Sequence, residues 1–301
     1  MKMNERTSLE VIAGYLSERL RDPLLRLLNV IGSEVTEIRL YLGQPVALIY
    51  PDKNVFLTEN SLSASSNNAA AVRCSADDIR RTIDAVTHFS FHSHISEFRQ
   101  GFFIVGNGIR AGISGVYNSD GIITEVTGIC FRISRCVVGC AEGIAPLIES
   151  GGLLICGGVN SGKTTLLRDI SRILGRRRKV ALIDERGEIA AVSGGQVGND
   201  VGVLTNVLSG CPRHIGIISA IRSLSPDYII CDEIADDSDT EAMLAGAGCG
   251  VIFIATVHAD CMAALRRRPF AEKLLSAGLF THAVFLAGAS AVGQIRSVEE
   301  L

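Results

Sequence analysis

Residues 157–165 read Gly157-Gly158-Val159-Asn160-Ser161-Gly162-Lys163-Thr164-Thr165, which places Gly-x-x-x-x-Gly-Lys-Thr at phosphate-loop spacing. Glycines let a backbone curl until successive N–H groups point inward at an anion. Lys163 is placed to reach β- and γ-phosphate oxygens, and the Thr164 hydroxyl to hold Mg²⁺. Hydrolysis needs acids as well. "DYIICDEI" supplies Asp232, a second candidate for holding Mg²⁺, through water, and Glu233, a candidate for polarising the attacking water. "VIFIATVHAD" ends in Thr256, His258 and Asp260, with His258 expected near the γ-phosphate as a sensor. "VALIDERGEIA" brings Asp184, Glu185 and Arg186; Glu185 there can orient water or the metal shell, or sit in a salt-bridged loop. No guanine-reading Asn-Lys-x-Asp occurs, so ATP is preferred over GTP. Nothing resembles the arginine-rich lid of a kinase.

These groups need rigid elements beneath them. Leu153–Cys156 reads as a short buried strand and Thr164–Leu174 as the helix after it, whose N-terminus adds partial positive charge. Tyr228–Cys231 reads as a buried strand that opens on the acid pair. A strand at "VIFIATVH" would lie beside the phosphate-loop strand. Strands and helices alternate from the phosphate loop to the end, which argues for a parallel sheet covered by helices. The expectation is an α/β domain of RecA/AAA-like P-loop type over residues 141–301, preceded by a smaller α+β domain over 1–140.

In that first part, Leu9–Leu20 has helical periodicity, and Asp22-Pro23 reads as the N-cap and first residue of a second helix. "EVTEIRLYLGQPVALIY" reads as two strands around Gly43-Gln44-Pro45, and "SLSASSNNAA" as a polar loop. Ser75 with Asp78 resembles a capping box opening a helix to about His88. "GFFIVGNGIRAGISGVYNSDGIITEVTG" gives strands broken by turns at 106–108 and 118–121.

With 301 residues, 47% hydrophobic, the chain can bury a large core, and a net charge of −3 gives no global pull toward nucleic acid. Nine Cys without a leader read as reduced and buried in a cytosolic protein, with Cys156, Cys231 and Cys249 in or beside strands. Cys136 and Cys140 are close enough to share a metal but lack a second ligand pair; His88, His92 and His94 lack a neighbouring carboxylate or Cys. No apolar run is long enough to span a membrane. The basic runs at 175–179 and 266–268 read as a helix end and a solvated helix face.

The order of "ESGGLLICGGVNSGKTTLL", "LIDERGE", "IRSLSPDYIICDE" and "FIATVHAD" resembles the type II and type IV secretion ATPases. "EIRLYLGQPVAL", "EFRQGFFIVGNGIRAGISG", "FRISR", "DVGVLTNVLSGCPR" and "IRSLSPDYIICDEI" resemble, in order, the stage III sporulation protein AA family. The resemblance implies an AAA-like ATPase of endospore-forming bacteria, in the mother-cell cytoplasm beneath a channel complex linking mother cell and forespore. It implies a homo-oligomeric, hexameric ring, membrane-bound channel proteins as partners, and no nucleic-acid partner. Two arginines of the family pattern are replaced, by Ala235-Asp236 after the acid pair and by Leu204-Thr205-Asn206 in the middle loop. Arg99, Arg110, Arg132 and Arg222 remain as candidates for work across subunits, with Arg110 and Arg222 first. Two other readings stay open: a slow nucleotide-gated switch, and a nucleic-acid-dependent ATPase.

Overall fold

A computed structural model describes residues 7–90, 94–133, 137–193, 195–288 and 291–301. The chain falls into two compact units, Met1–Ser134 and Arg135–Leu301.

The first unit starts with three short helices, α1 (Ser8–Ala13), α2 (Glu18–Arg26) and α3 (Leu28–Ile31). The helical periodicity of 9–20 is thus interrupted: α1 stops before Gly14, and Ser17 is the N-cap of α2. Asp22-Pro23 does not start a helix; Pro23 lies inside α2, where it cannot donate to the Arg19 carbonyl. Burial of Leu20, Pro23 and Leu24 on one face outweighs that lost bond. The strands are β1 (Glu37–Tyr41), β2 (Ala47–Ile49), β3 (Asn54–Leu57), β4 (Leu62–Ser63), β5 (Phe102–Val105), β6 (Ile109–Tyr117) and β7 (Ile123–Arg132). They form one antiparallel sheet in the order β4-β3-β2-β1-β7-β6-β5. The segment 61–70, read as a loop, contributes β4 to its edge. Helix α4 (Ala76–Val86) opens on the reciprocal Ser75–Asp78 capping box, and α5 (Ile95–Gln100) precedes β5. Strand alternation puts Ile38, Leu40, Leu48, Ile129 and Phe131 into a core shared with Leu20, Leu24 and Ile79.

In the second unit α6 (Ala145–Ser150) leads into β8 (Leu153–Cys156) and α7 (Lys163–Leu174). Then come β9 (Val180–Asp184), a small hairpin of β10 (Val192–Ser193) with β11 (Gln196–Val197), β12 (Thr205–Ser209), α8 (Arg213–Leu224), β13 (Tyr228–Cys231), α9 (Asp237–Ala247) and β14 (Ile252–Val257). Helices α10 (Met262–Arg266) and α11 (Pro269–Ser276) precede β15 (His282–Leu286) and β16 (Ile295–Glu300). The sheet order is β12-β9-β13-β14-β8-β15-β16, parallel except for β16. Both faces of the central strands are covered. Leu153 and Ile155 pack with Leu166, Leu167 and Ile170 of α7, while Leu154 and Cys156 join Ile217, Met243 and Phe253 on the other side. Two-sided burial is why these strands read as unbroken apolar runs.

Several finer readings change. "TNVLS" is the edge strand β12 rather than part of a loop. The basic run at 266–268 straddles the break between α10 and α11. Cys249 is exposed rather than buried, whereas burial pushes the Cys156 and Cys231 thiols up to about 12. Cys136 and His92 lie outside the described residues; among those described, no His/Cys/Asp/Glu group is arranged for a metal ion. His94 does have a carboxylate beside it, Glu97 at 3.0 Å. No described helix is long and apolar enough to cross a membrane.

Candidate nucleotide site

Strand β8 ends at Cys156 and the chain turns through residues 157–162 into α7. The turn depends on its glycines. A Cβ on Gly157 would lie 2.5 Å from Ser161 Oγ. Gly162 has φ +97°, and a Cβ there would lie 2.7 Å from the Gly293 amide nitrogen. That amide donates to Ser161 O at 2.8 Å, so the turn between β15 and β16 rests on the loop. Asn160 takes φ +58°, which Asn tolerates better than most residues. Gly162, the N-cap of α7, offers no side chain to the first amides of the helix, which leaves them for an anion. Val159 is exposed at the tip of the loop, Ser161 is buried, and Thr165 lies in the first turn of α7.

Lys163 is 7% exposed and its ammonium is folded back on the loop. Nζ donates to Gly157 O at 2.9 Å and Gly158 O at 2.7 Å and lies 3.3 Å from His258 Nδ1. Burial lowers its pKa from the usual lysine value, against the opposing pull of Asp232 and Glu233.

Parallel pairing of β14 with both β8 and β13 brings three carboxyl-terminal strand ends side by side. There Thr164 Oγ1 donates to Asp232 Oδ2 at 3.0 Å. Thr256, fully buried in β14, donates to Asp232 Oδ1 and accepts the Glu233 amide at 2.7 Å. Glu233 has φ +49°, a costly conformation for a non-glycine residue that concentrates at functional sites. Its Oε1 lies 3.0 Å from His258 Nε2 and its Oε2 3.0 Å from Arg186 Nη1. Lysine can only donate, so a hydrogen bond from Lys163 to Nδ1 leaves the imidazole proton on Nε2, facing Glu233. A hydroxyl and a carboxylate oxygen in mutual contact at the cradle form a hard-oxygen donor set, which suits Mg²⁺.

The acidic box behaves differently. Asp184 is buried and accepts the amides of Glu188, Ile189 and Ala190 at 3.0, 3.1 and 2.8 Å. Burial raises its carboxyl above the usual range despite those bonds. The Glu185 carboxylate is taken by Arg213 Nη2 at 2.7 Å, and Arg213 also pairs with buried Asp239 at the start of α9. Of the two readings left open for Glu185, the salt-bridged one matches this geometry. Arg213 and Asp239 were not singled out from sequence, and Arg186 was named there without a role; the run "DERGE" alone does not say which carboxylate meets which cation.

Arg222 is not brought to this cluster. It is exposed on the last turn of α8, which ends among Ser225 and Asp227 beside Lys179, at the amino ends of the strands. Helix α8 runs antiparallel to the strands, so its N-terminal Arg213 faces the site instead. The other arginine candidates belong to the first unit: Arg110 lies over the Phe102 ring at 3.7 Å, Arg132 lies 3.8 Å from Glu37, and Arg99 is exposed on α5.

Among solved structures, the fold is similar to the pilus retraction motor PilT with bound ADP (TM-score 0.61, 15% identity, 87% of this chain and 76% of that one). It is also similar to the ATPase DotB of Legionella pneumophila (TM-score 0.55, 16% identity, 85% and 72%). The second unit thus has a RecA-like P-loop fold. In sequence, the chain is 28% identical to stage III sporulation protein AA of Bacillus subtilis (strain 168) over 300 residues, 95% of this chain and 94% of that protein. A shorter match, 33% over 156 residues, covers half of this chain and 23% of SEEDLING PLASTID DEVELOPMENT 1 of Arabidopsis thaliana. The family model for sporulation stage III, protein AA matches residues 6–300, and the chain belongs to that family.

Proposed function

We propose that this chain is an Mg²⁺-dependent ATPase, converting ATP and water to ADP and phosphate. It serves as a motor or assembly factor for the mother-cell/forespore channel of sporulation. The observation that carries this reading is the meeting of the loop at 157–165 with Asp232 and Glu233 through the Thr164–Asp232 bond. A loop and an acid pair from separate strands converge at the carboxyl end of a parallel sheet, where such folds bind ligands. The family match and the likeness to PilT and DotB support the biological context.

The loop amides and the N-terminus of α7 would receive the terminal phosphates, and Lys163 would exchange its two loop carbonyls for phosphate oxygens. Thr164 and Asp232 would hold Mg²⁺, whose charge offsets that on the phosphates. Glu233 would accept a proton from water through one carboxylate oxygen, with His258 fixing the other. Glu185, through Arg213, steadies the acidic box rather than touching water. Assembly is proposed as a homo-hexamer in the mother-cell cytoplasm, held at the membrane by channel proteins, with any arginine contribution, Arg222 included, arriving across a subunit border.

The test is phosphate release from ATP with and without Mg²⁺ over a series of protein concentrations, with mass in solution measured at each. Turnover should need Mg²⁺ and rise with assembly. Glu233→Gln should keep ATP binding and lose turnover on the order of 10²-fold or more. Hydrolysis by E233Q at the wild-type rate would overturn the assignment of Glu233.

A further inference from the structure

The loop that carries Arg186 is unusually well fixed for a surface turn. Asp184 ties down the amides of residues 188–190, and Glu185 is anchored by Arg213. From α7, Arg168 Nη2 and Nε donate to the carbonyls of Glu188 and Ile189 at 2.6 and 3.1 Å. The backbone of Arg186 is therefore held on both sides, while its side chain is 63% exposed and ends on Glu233. Glu233 is pinned too: its amide is bonded to Thr256, and its oxygens are divided between Arg186 and His258. The result is one line of polar contacts, Lys163–His258–Glu233–Arg186, with a cation at each end.

A carboxylate whose two oxygens each face a donor is poorly placed to take a proton from water, because part of its electron density is already committed. We propose that Arg186 is a positioning residue that parks Glu233. Its guanidinium holds Oε2 for most of the time, with the cradle empty or filled, and turnover proceeds from the fraction of chains in which the pair is open. This rests on the ATPase reading above. The contact is suited to release: its arginine side is open to water, and exposed pairs are weak and exchange readily.

The experiment compares wild type, Arg186→Ala and Arg186→Lys. In R186A, kcat in the absence of partners should rise about two- to five-fold, the range that losing one exposed ion pair supports, while KM for ATP changes less than two-fold. R186K, which keeps the charge, should return kcat toward wild type. A second measurement needs no turnover: denaturant unfolding of nucleotide-free R186A, E233Q and the double variant, in which the double should lose less than the sum of the singles. An unchanged or lowered kcat in R186A, or strictly additive unfolding losses, overturns the parking role. If wild type turns over ATP and E233Q does not, such a failure leaves the ATPase reading standing. If neither wild type nor R186A hydrolyses ATP, both fall together.

Discussion

Asp78 in the first unit and Glu233 in the second are both carboxylates with several partners, and they are built for opposite purposes. The Asp78 side chain is 3% exposed and accepts from the Ser17 hydroxyl at 2.5 Å, the Ser75 hydroxyl at 2.6 Å, the Ser75 amide at 2.7 Å and the Arg19 guanidinium. It joins the N-terminal ends of α2 and α4, and each bond lost there weakens the compensation of a buried charge. Glu233 is 28% exposed, its partners Arg186 and His258 are 63% and 33% exposed, and its backbone is strained. A saturated, dry network fixes a shape; a partly wet one, with partners that water can replace, can change hands.

The comparison can be broken at four points. The largest effect is expected at Lys163→Ala, which removes the one buried cation folded over the loop: ATP affinity by equilibrium titration should fall by about 100-fold or more. Nucleotide binding at wild-type strength would show the loop to be a structural turn. Next is Glu233→Gln, where turnover and binding should separate; parallel loss of both would make Glu233 a scaffold residue like Asp78.

Asp78→Asn comes third and should touch stability alone. Burial by itself would raise the Asp78 carboxyl, but the bonds from Arg19, Ser17 and Ser75 outweigh it and hold the pKa at about 2. A depressed carboxyl stabilises the fold above its unfolded value, near 4, and that contribution is lost as pH falls toward 2. D78N should therefore cost roughly 2 kcal/mol at neutral pH. It should also show a shallower loss of stability between about pH 4 and 2 in denaturant melts. A melt with wild-type acid sensitivity would mean the charge at Asp78 is not what holds α2 and α4. The smallest effect belongs to Arg222→Ala: within one chain, ATP affinity should stay within about two-fold, since the residue sits at the far end of α8. A large loss of affinity would place the nucleotide elsewhere.

The turn at 157–162 between β8 and α7 was legible in the sequence because its geometry is dictated locally. Only glycine fits at 157 and 162, and Lys163 and Thr164 follow at fixed offsets. The central strands were legible because burial on two faces leaves no polar position to mislead. The edges were not: β12 and β16 alternate exposed polar residues with a few apolar ones, as loops also do. Pro23 misled because its preference for a helix start is weaker than the pull of a buried face. Least legible were the cations. Arg186 and Arg213 are one motif and one loop away from their partners, and only the strand order decides that Arg186 meets Glu233 while Arg213 meets Glu185 and Asp239.

The contact of Gly293 with Ser161 joins two stretches that lie far apart along the chain. Gly162 has no room for a side chain because Gly293 and Val292 occupy the space, and Gly293, at φ +78°, is itself in a conformation that side chains resist. The two glycines therefore fail in different ways: a side chain at 162 would wedge the hairpin away from the loop, whereas one at 293 would meet open space and strain only its own backbone. A truncation placed after β15 would strip one support from the loop at 157–162, not merely trim a tail.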